Sequence, residues 1–257
     1  MKKLISIELK SNFGFFRKPD TNSGINFSYN ILHKPAFLGI LGAIIGLKGY
    51  EELGKIPEYY QKLEDIKIGI EPLEHEKGNF QKTTIKYTNM IGYANKKMNY
   101  LTEESTLIAP FYRCYLLLDF DNEYHQKVAT FLETGQAEYL PYFGKNEFYA
   151  WWDNYKEYEY EENHISQESF LIKTLFDKKE EVVKNNKEDI DVTFDLFDLD
   201  KNLDYFFYFE RLPIGFDNDL HQYQLGNFVF STFKLTKNSN IKNLYFLKSE
   251  NYYVQLL

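Results

Sequence analysis

The chain is poor in the residues from which metal centres and covalent cross-links are built. A single cysteine, Cys114, among 257 residues excludes an internal disulfide and any multi-cysteine zinc site. Inside the apolar run from Tyr112 to Leu118 it reads as a small core residue. The five histidines, at 33, 75, 125, 164 and 221, are scattered, and GxGxxG, P-loop and HExxH patterns are all missing. Neither a resident metal nor a cofactor is expected. No apolar stretch reaches the roughly 20 residues that span a bilayer, the longest being cut by Lys48. The opening MKKLISIE turns charged too early for a secretory signal. A cytoplasmic protein without membrane contact is the expectation.

Positive charge is also in short supply, with a net charge of −8, which on its own argues against a nucleic-acid partner. The distribution is uneven. Residues 1–48 carry seven Lys/Arg and two acids, hence +5, whereas residues 151–210 carry seven bases and seventeen acids, hence −10. A basic end can hold a polyanion while an acidic end stays solvated or meets a basic partner. Aromatic residues make up 18% of the chain, although the parallel excess of Lys, Asn and Ile suggests A/T-rich coding rather than selection for stacking. A chain of this length forms one or two domains and buries about 70% of its unfolded surface.

The most informative stretch runs from Phe13 to Tyr50, FGFFRKPDTNSGINFSYNILHKPAFLGILGAIIGLKGY. The apolar run from Pro35 to Leu47 opens with proline, which suits a first helical position, and stops near Gly49. Gly39, Gly42 and Gly46 fall within about 60° of one another on that helix. Each interior glycine costs roughly 1 kcal/mol against alanine, so the stripe implies close approach of another backbone: its own sheet, a neighbouring subunit or nucleic acid. At the helix start no Ser, Thr, Asp or Asn cap is present, and His33 and Lys34 precede Pro35 instead. Cations there oppose the macrodipole unless an anion sits between them and the free N–H groups. A phosphate seat is one reading; a solvated Lys34 beside a satisfied surface His33 is the other.

Residues 3–9 alternate as a first strand, and the 20-odd residues before the helix are long for a βα connection, which points to a functional loop. Glu51 to Leu63 reads as a polar helix and Ile66 to Leu73 as a second strand closed by Pro72. Glu76 to Asn99 holds bases at 77, 82, 86, 96 and 97 against one acid, with Phe80, Tyr87 and Tyr93 between them. Such interleaving suits a projecting hairpin arm on single-stranded nucleic acid, or a solvent-facing loop. Phe111 to Phe120 is an apolar strand, Tyr124 to Thr134 an amphipathic helix ended by Gly135, and a fourth strand lies around Glu147 to Tyr158. The order is that of a split βαβ, or ferredoxin-like, fold. From Glu161 onward, acidic linkers alternate with strands at Phe170–Phe176, Ile190–Phe197, Tyr205–Glu210, Asn227–Leu235 and Leu244–Leu247. The expected organisation is a 1–160 domain with an arm at about 74–110, followed by a β-rich 161–257 subdomain.

Asp198, Asp200, Asn202 and Asp204 imitate the odd positions of an EF-hand loop, but Leu203 replaces its glycine and Phe209 its bidentate glutamate. An acidic hairpin turn is the better reading.

Phe16-Arg17-Lys18-Pro19-Asp20-Thr21, then Ser28-Tyr29, then the proline-led Phe37 to Leu47 run resemble the opening of the CRISPR-associated protein 5 family. Its members are RAMP subunits of type I Cascade complexes. Ala109 to Arg113 and Leu140 to Phe148 are similar as well, with Arg211-Leu212-Pro213 a fainter echo. The spacing most resembles the type I-B branch. The resemblance implies an α+β, ferredoxin-like (RRM-like, RAMP) fold in which the arm corresponds to the family's thumb. It also implies an RNA-binding subunit in antiviral defence that grips the 5′ handle of the CRISPR RNA (crRNA). Such a subunit caps the filament of backbone subunits (CRISPR-associated protein 7) and abuts the large subunit (CRISPR-associated protein 8), near target DNA.

On this reading Arg17, Lys18, His33 and Lys34 contact phosphates, Tyr29 stacks or offers its hydroxyl, and Gly39 and Gly42 let backbone approach. Lys82, Lys86, Lys96 and Lys97 act on the arm, against RNA or a neighbouring subunit. Two alternatives stand beside the non-catalytic RNA-binding role. Tyr29, His33 and Lys34 could supply the base, acid and cation of metal-independent RNA cleavage, in a region where the type I-C branch resembles a precursor-processing ribonuclease. Alternatively, the chain is a purely protein-binding scaffold.

Overall fold

A computed structural model describes residues 1–257 except 21–23, 53, 89–100, 166, 178–193, 195–203, 218, 221, 238 and 240. Its first half is built on β1 (Lys2–Ser11), β2 (Ile25–Tyr29), α1 (Lys34–Ile45), α2 (Glu58–Leu63) and β3 (Lys67–Pro72). Then follow β4 (Lys82–Thr88), β5 (Leu101–Ile108), β6 (Phe111–Asp119), α3 (Glu123–Thr134) and β7 (Ala150–Tyr158). The second half contributes β8 (Phe207–Phe216), β9 (Tyr223–Ser231), β10 (Leu244–Leu247) and β11 (Tyr252–Gln255), with shorter strands between.

Alternation along β1 decides the architecture. Ile5, Ile7 and Leu9 point to one side, where they meet Ile68 and Ile70 of β3, Cys114 and Leu116 of β6, and the apolar faces of α1 and α3. The sheet order β3-β6-β1-β7 is antiparallel throughout. With α1 crossing from β1 to β3 and α3 from β6 to β7, this is the ferredoxin-like arrangement. Leu4, Tyr115 and Leu117 face the other way and are covered by Tyr245, Leu247, Val254 and Leu256 of the β10-β11 hairpin. That second face is buried where the hairpin lies on it, whereas Lys10, Trp151 and Asp153 at its far end stay partly open.

A second sheet carries the arm. β4 and β5 pair antiparallel from Lys82↔Leu107 to Thr88↔Leu101, and β5 continues into β2 and the short strand Phe13–Gly14. The ribbon Phe16–Arg17 then pairs with β2. The expected hairpin thus exists, with its base woven into a sheet rather than hung as a loop. Lys96 and Lys97 lie outside the described residues.

The second half packs partly into the main core and partly around a cluster of its own. Leu175, Leu212, Phe228 and Phe230 belong to the same apolar cluster as α1 and β1, while Phe170, Phe176, Val229 and Tyr253 make a smaller one. At β3, Ile68 and Leu257 exchange backbone hydrogen bonds of 3.0 and 2.8 Å. A Cβ on Gly69 would sit 2.7 Å from the Gln255 carbonyl oxygen, so glycine permits that crossing.

Local chemistry moved some boundaries. The helix expected from Glu51 starts only after Pro57, whose ψ of 152° is extended. α1 ends earlier than Gly49, at Gly46 in the left-handed conformation with φ 82°. β8 runs through Pro213 at the edge of its sheet, where no ladder donor is needed.

Candidate nucleic-acid interface

The start of α1 is not the cationic seat that its sequence suggests. His33 is itself the N-cap: its Nδ1 accepts the Ala36 N–H at 3.3 Å, and its carbonyl accepts the Phe37 N–H at 3.0 Å. Pro35 has no N–H, so the first turn presents no nest of free donors. The ring is 4% exposed and packs edge-on against Phe16, Tyr29 and Tyr223, with centroids 6.1, 5.2 and 5.5 Å away. Burial holds its pKa down to about 3, which keeps the imidazole neutral and the acceptor available.

Lys34 turns away from any phosphate to donate to the Leu257 main-chain oxygen at 3.1 Å, and burial lowers its pKa to about 8. Tyr29 is 3% exposed and burial, ahead of the charges of Asp20 and Glu210, raises its pKa to about 12. Its ring cannot stack on a base. The trio of Tyr29, His33 and Lys34 thus forms no accessible phosphate-binding or cleavage site, because Tyr223 and Leu257, distant in sequence, close over it.

The glycine stripe meets its own chain. A Cβ on Gly42 would lie 2.4 Å from the Tyr59 Cβ, so this glycine lets α2 approach α1 closely. Gly39 has more room, 3.6 Å to the Tyr59 ring. It floors a groove of about 660 Å³ walled by tyrosines such as Tyr50, Tyr139 and Tyr142. The charged groups there, Lys48 and Glu51, pair at 3.0 Å. Neither glycine brings the helix to an RNA backbone: one is filled by Tyr59 and the other faces a groove with no spare cation.

Lys18 is drawn inward by Glu210, a carboxylate that the sequence reading did not single out. Glu210 Oε1 accepts from Lys18 Nζ at 3.1 Å and from the Asn30 N–H at 3.0 Å. Its Oε2 accepts from the Ile31 N–H at 3.1 Å and the Tyr208 hydroxyl at 3.0 Å. Four donors compensate its burial. The charge pins β8 to the turn between β2 and α1, and only a positional signal, an acid amid apolar strand residues, hints at it.

Several cations lie on or near the second sheet. Arg17 is exposed on the ribbon paired with β2. Lys82, at the hairpin base, is exposed by area, yet crowding lowers its pKa against the pull of Glu210. Lys86 is exposed farther up and pairs with Glu103 at 2.7 Å. Lys145, not anticipated, lies over the Tyr87 ring at 4.2 Å and pairs with Glu104 beneath. Arg211 is exposed on β8. No cluster of metal-ligating side chains occurs among the described residues, and no helix is long and apolar enough to cross a membrane.

No family model and no curated protein matches the chain. Among solved structures it is similar to a chain in the cryo-EM structure of the type III-B Cmr-beta bound to cognate target RNA and AMPPnP. That match has a TM-score of 0.51 at 14% identity over 98% of this chain and 99% of that one. A CRISPR protein from Archaeoglobus fulgidus matches at 11% identity and TM-score 0.47, covering 98% and 97%. A chain of a CRISPR RNA-guided surveillance complex matches at 10% and 0.47, covering 91% and 92%. At 14% identity the likeness to the Cmr-beta chain is one of architecture alone, in keeping with the ferredoxin-like arrangement of the sheet.

Proposed function

We propose that the chain is a non-catalytic RNA-binding subunit of a CRISPR effector complex. In it the chain holds the 5′ handle of the crRNA, caps the filament of backbone subunits and adjoins the large subunit. The finer assignment to a type I-B Cascade rests on the resemblance of the N-terminal motifs. The fold shared with a chain of the RNA-bound Cmr-beta assembly supports the general role.

The observation that carries the reading is one of elimination. The helix-bearing face of the ferredoxin-like sheet is covered, its other face is covered in part by the β10-β11 hairpin, the α1 groove has no spare cation, and the His33 cap at the α1 start is buried. Exposed cations persist along the second sheet, at Arg17, Lys82 and Lys86. A polyanion is held where Lys and Arg displace its counterions, so RNA runs along this sheet and its arm. Catalysis has no support from Tyr29 and His33, which are buried, or from half-buried Lys34, which holds the Leu257 main-chain oxygen.

Fluorescence anisotropy with labelled 5′-handle RNA, repeated across salt concentrations, tests the reading. Arg17→Ala with Lys82→Ala lowers affinity and flattens the log–log salt slope by about 1.4, from roughly 0.7 per lost single-strand contact. His33→Asn binds as the parent does. Parent-like affinity and slope in the double variant would remove RNA from this sheet.

A further inference from the structure

The outer face of β8 holds an arrangement of rings unlike the edge-on packing of the core. Phe207 lies parallel to Phe233, with centroids 4.4 Å apart and 10° between planes. Phe209 lies near parallel to Phe207 as well, at 6.0 Å and 18°, while Phe194 meets Phe207 edge-on at 4.7 Å. The outermost ring, Phe209, is 59% exposed and Phe207 is 40% exposed. Buried aromatics here mostly tilt or meet edge to face, as Tyr60 and Phe216 do at 76°. Among the described residues Phe207 is the ring that Phe209 meets, which leaves the Phe209 ring largely open.

Strand alternation adds the charge. Phe207, Phe209 and Arg211 share the outward side of β8, whereas Tyr208 and Glu210 turn inward to bond with each other at 3.0 Å. Arg211 stands opposite Asn227 of β9, which is also exposed. The sole formal charge on this row is positive. Successive outward residues are roughly 7 Å apart along a strand, close to the phosphate spacing of an extended nucleotide chain. Arg211 also acts electrostatically on the Tyr29 hydroxyl, which sets the row beside the sheet that carries Arg17.

We infer that Phe209 is a stacking platform for an unpaired nucleobase, with Arg211 holding an adjacent phosphate. The inference rests on the RNA-binding reading and extends it to a face of the second half of the chain. A flat, polarisable ring accepts any base and favours purines, which offer more area, while the guanidinium neutralises the linkage. An apolar protein segment would use the rings but leave Arg211 desolvated without a counter-charge.

Binding of the full chain to oligoadenylate and oligouridylate, measured by anisotropy, tests this. The parent prefers oligoadenylate. Phe209→Ala weakens oligoadenylate binding by about tenfold and abolishes the preference, with the salt slope unchanged. Arg211→Gln lowers the slope by about 0.7 and keeps the preference. Phe209→Trp gives a fluorophore whose emission is quenched on binding. Phe209 is exposed, so each variant folds, and unchanged thermal unfolding verifies this. Three results would overturn the inference. If the parent binds RNA and both variants match it, the platform falls while the proposed function stands. If the variants bind RNA normally but no longer co-purify with a backbone subunit, the face is a protein contact. If the parent binds no RNA, both readings fall together.

Discussion

Acidification should reveal His33 directly. Its imidazole must stay neutral to accept the Ala36 N–H, and three rings exclude the water that a cation would need. The folded-state pKa is about 3, against about 6.5 in the unfolded chain. Between these values the unfolded chain carries the extra proton, so stability rises with pH there. The contribution is complete above pH 6.5 and is lost progressively as pH falls toward 3. One proton is worth about 1.4 kcal/mol per pH unit, so about 3 kcal/mol disappears between pH 6.5 and 4.

Tyr29 and Tyr223, whose rings touch the imidazole, both titrate near 12 and stay neutral throughout this window. His33→Asn supplies the comparison, because asparagine caps a helix well and does not titrate. Losing the ring changes absolute stability, so the informative quantity is the slope. Urea unfolding at pH 7, 6, 5 and 4 should show wild type losing about 1.4 kcal/mol per unit more than the variant below pH 6. Parallel curves, or a folded-state His33 resonance titrating near 6.5, would refute the buried neutral cap and return the cationic helix start to consideration.

Glu210→Ala leaves the buried Asn30 and Ile31 N–H groups without their acceptor and removes the Lys18 ion pair, and should cost about 3–5 kcal/mol by chemical denaturation; a loss under 1 kcal/mol would deny it the pinning role. Gly42→Ala drives a methyl group to 2.4 Å from Tyr59 Cβ and should lower stability by about 1–3 kcal/mol despite its better helix propensity. Gly39→Ala meets Tyr59 at an ordinary 3.6 Å and should raise stability by up to about 1 kcal/mol. Thermal unfolding of this pair separates a packing glycine from a tolerated one, and equal shifts would show that α2 does not rest on α1.

The ferredoxin-like frame was legible because its signals are local. Period-two alternation gave β1, apolar runs gave β6 and α1, and Gly135 marked the end of α3, where it adopts φ 68°. The misreadings came from chemistry that depends on distant partners. β11 was overlooked because Tyr252–Gln255 is short and becomes a strand only by pairing with β10. At the helix start, His-Lys-Pro displays two ionisable side chains and no cap. Sequence alone carries no sign of the desolvation by Tyr223 that turns one of them into the cap.

The regional charge sums failed for a related reason. Of the seven bases in residues 1–48, Lys3 pairs with Glu157, Lys10 with Asp153, Lys18 with Glu210 and Lys48 with Glu51, while Lys34 holds a main-chain oxygen. That leaves Arg17 and Lys2 without an ion pair among the described residues. Three of these four partners come from the acidic 151–210 segment, so folding offsets three of the seven N-terminal bases against it. A polyanion therefore meets the residue of that cancellation rather than the N-terminal excess. Net charge per segment overstates what a fold presents whenever distant strands adjoin. What discriminates a binding cation from a structural one is whether the fold already supplies it with a carboxylate or main-chain oxygen, and by that criterion Arg17 and Arg211 outrank Lys18, Lys34 and Lys86.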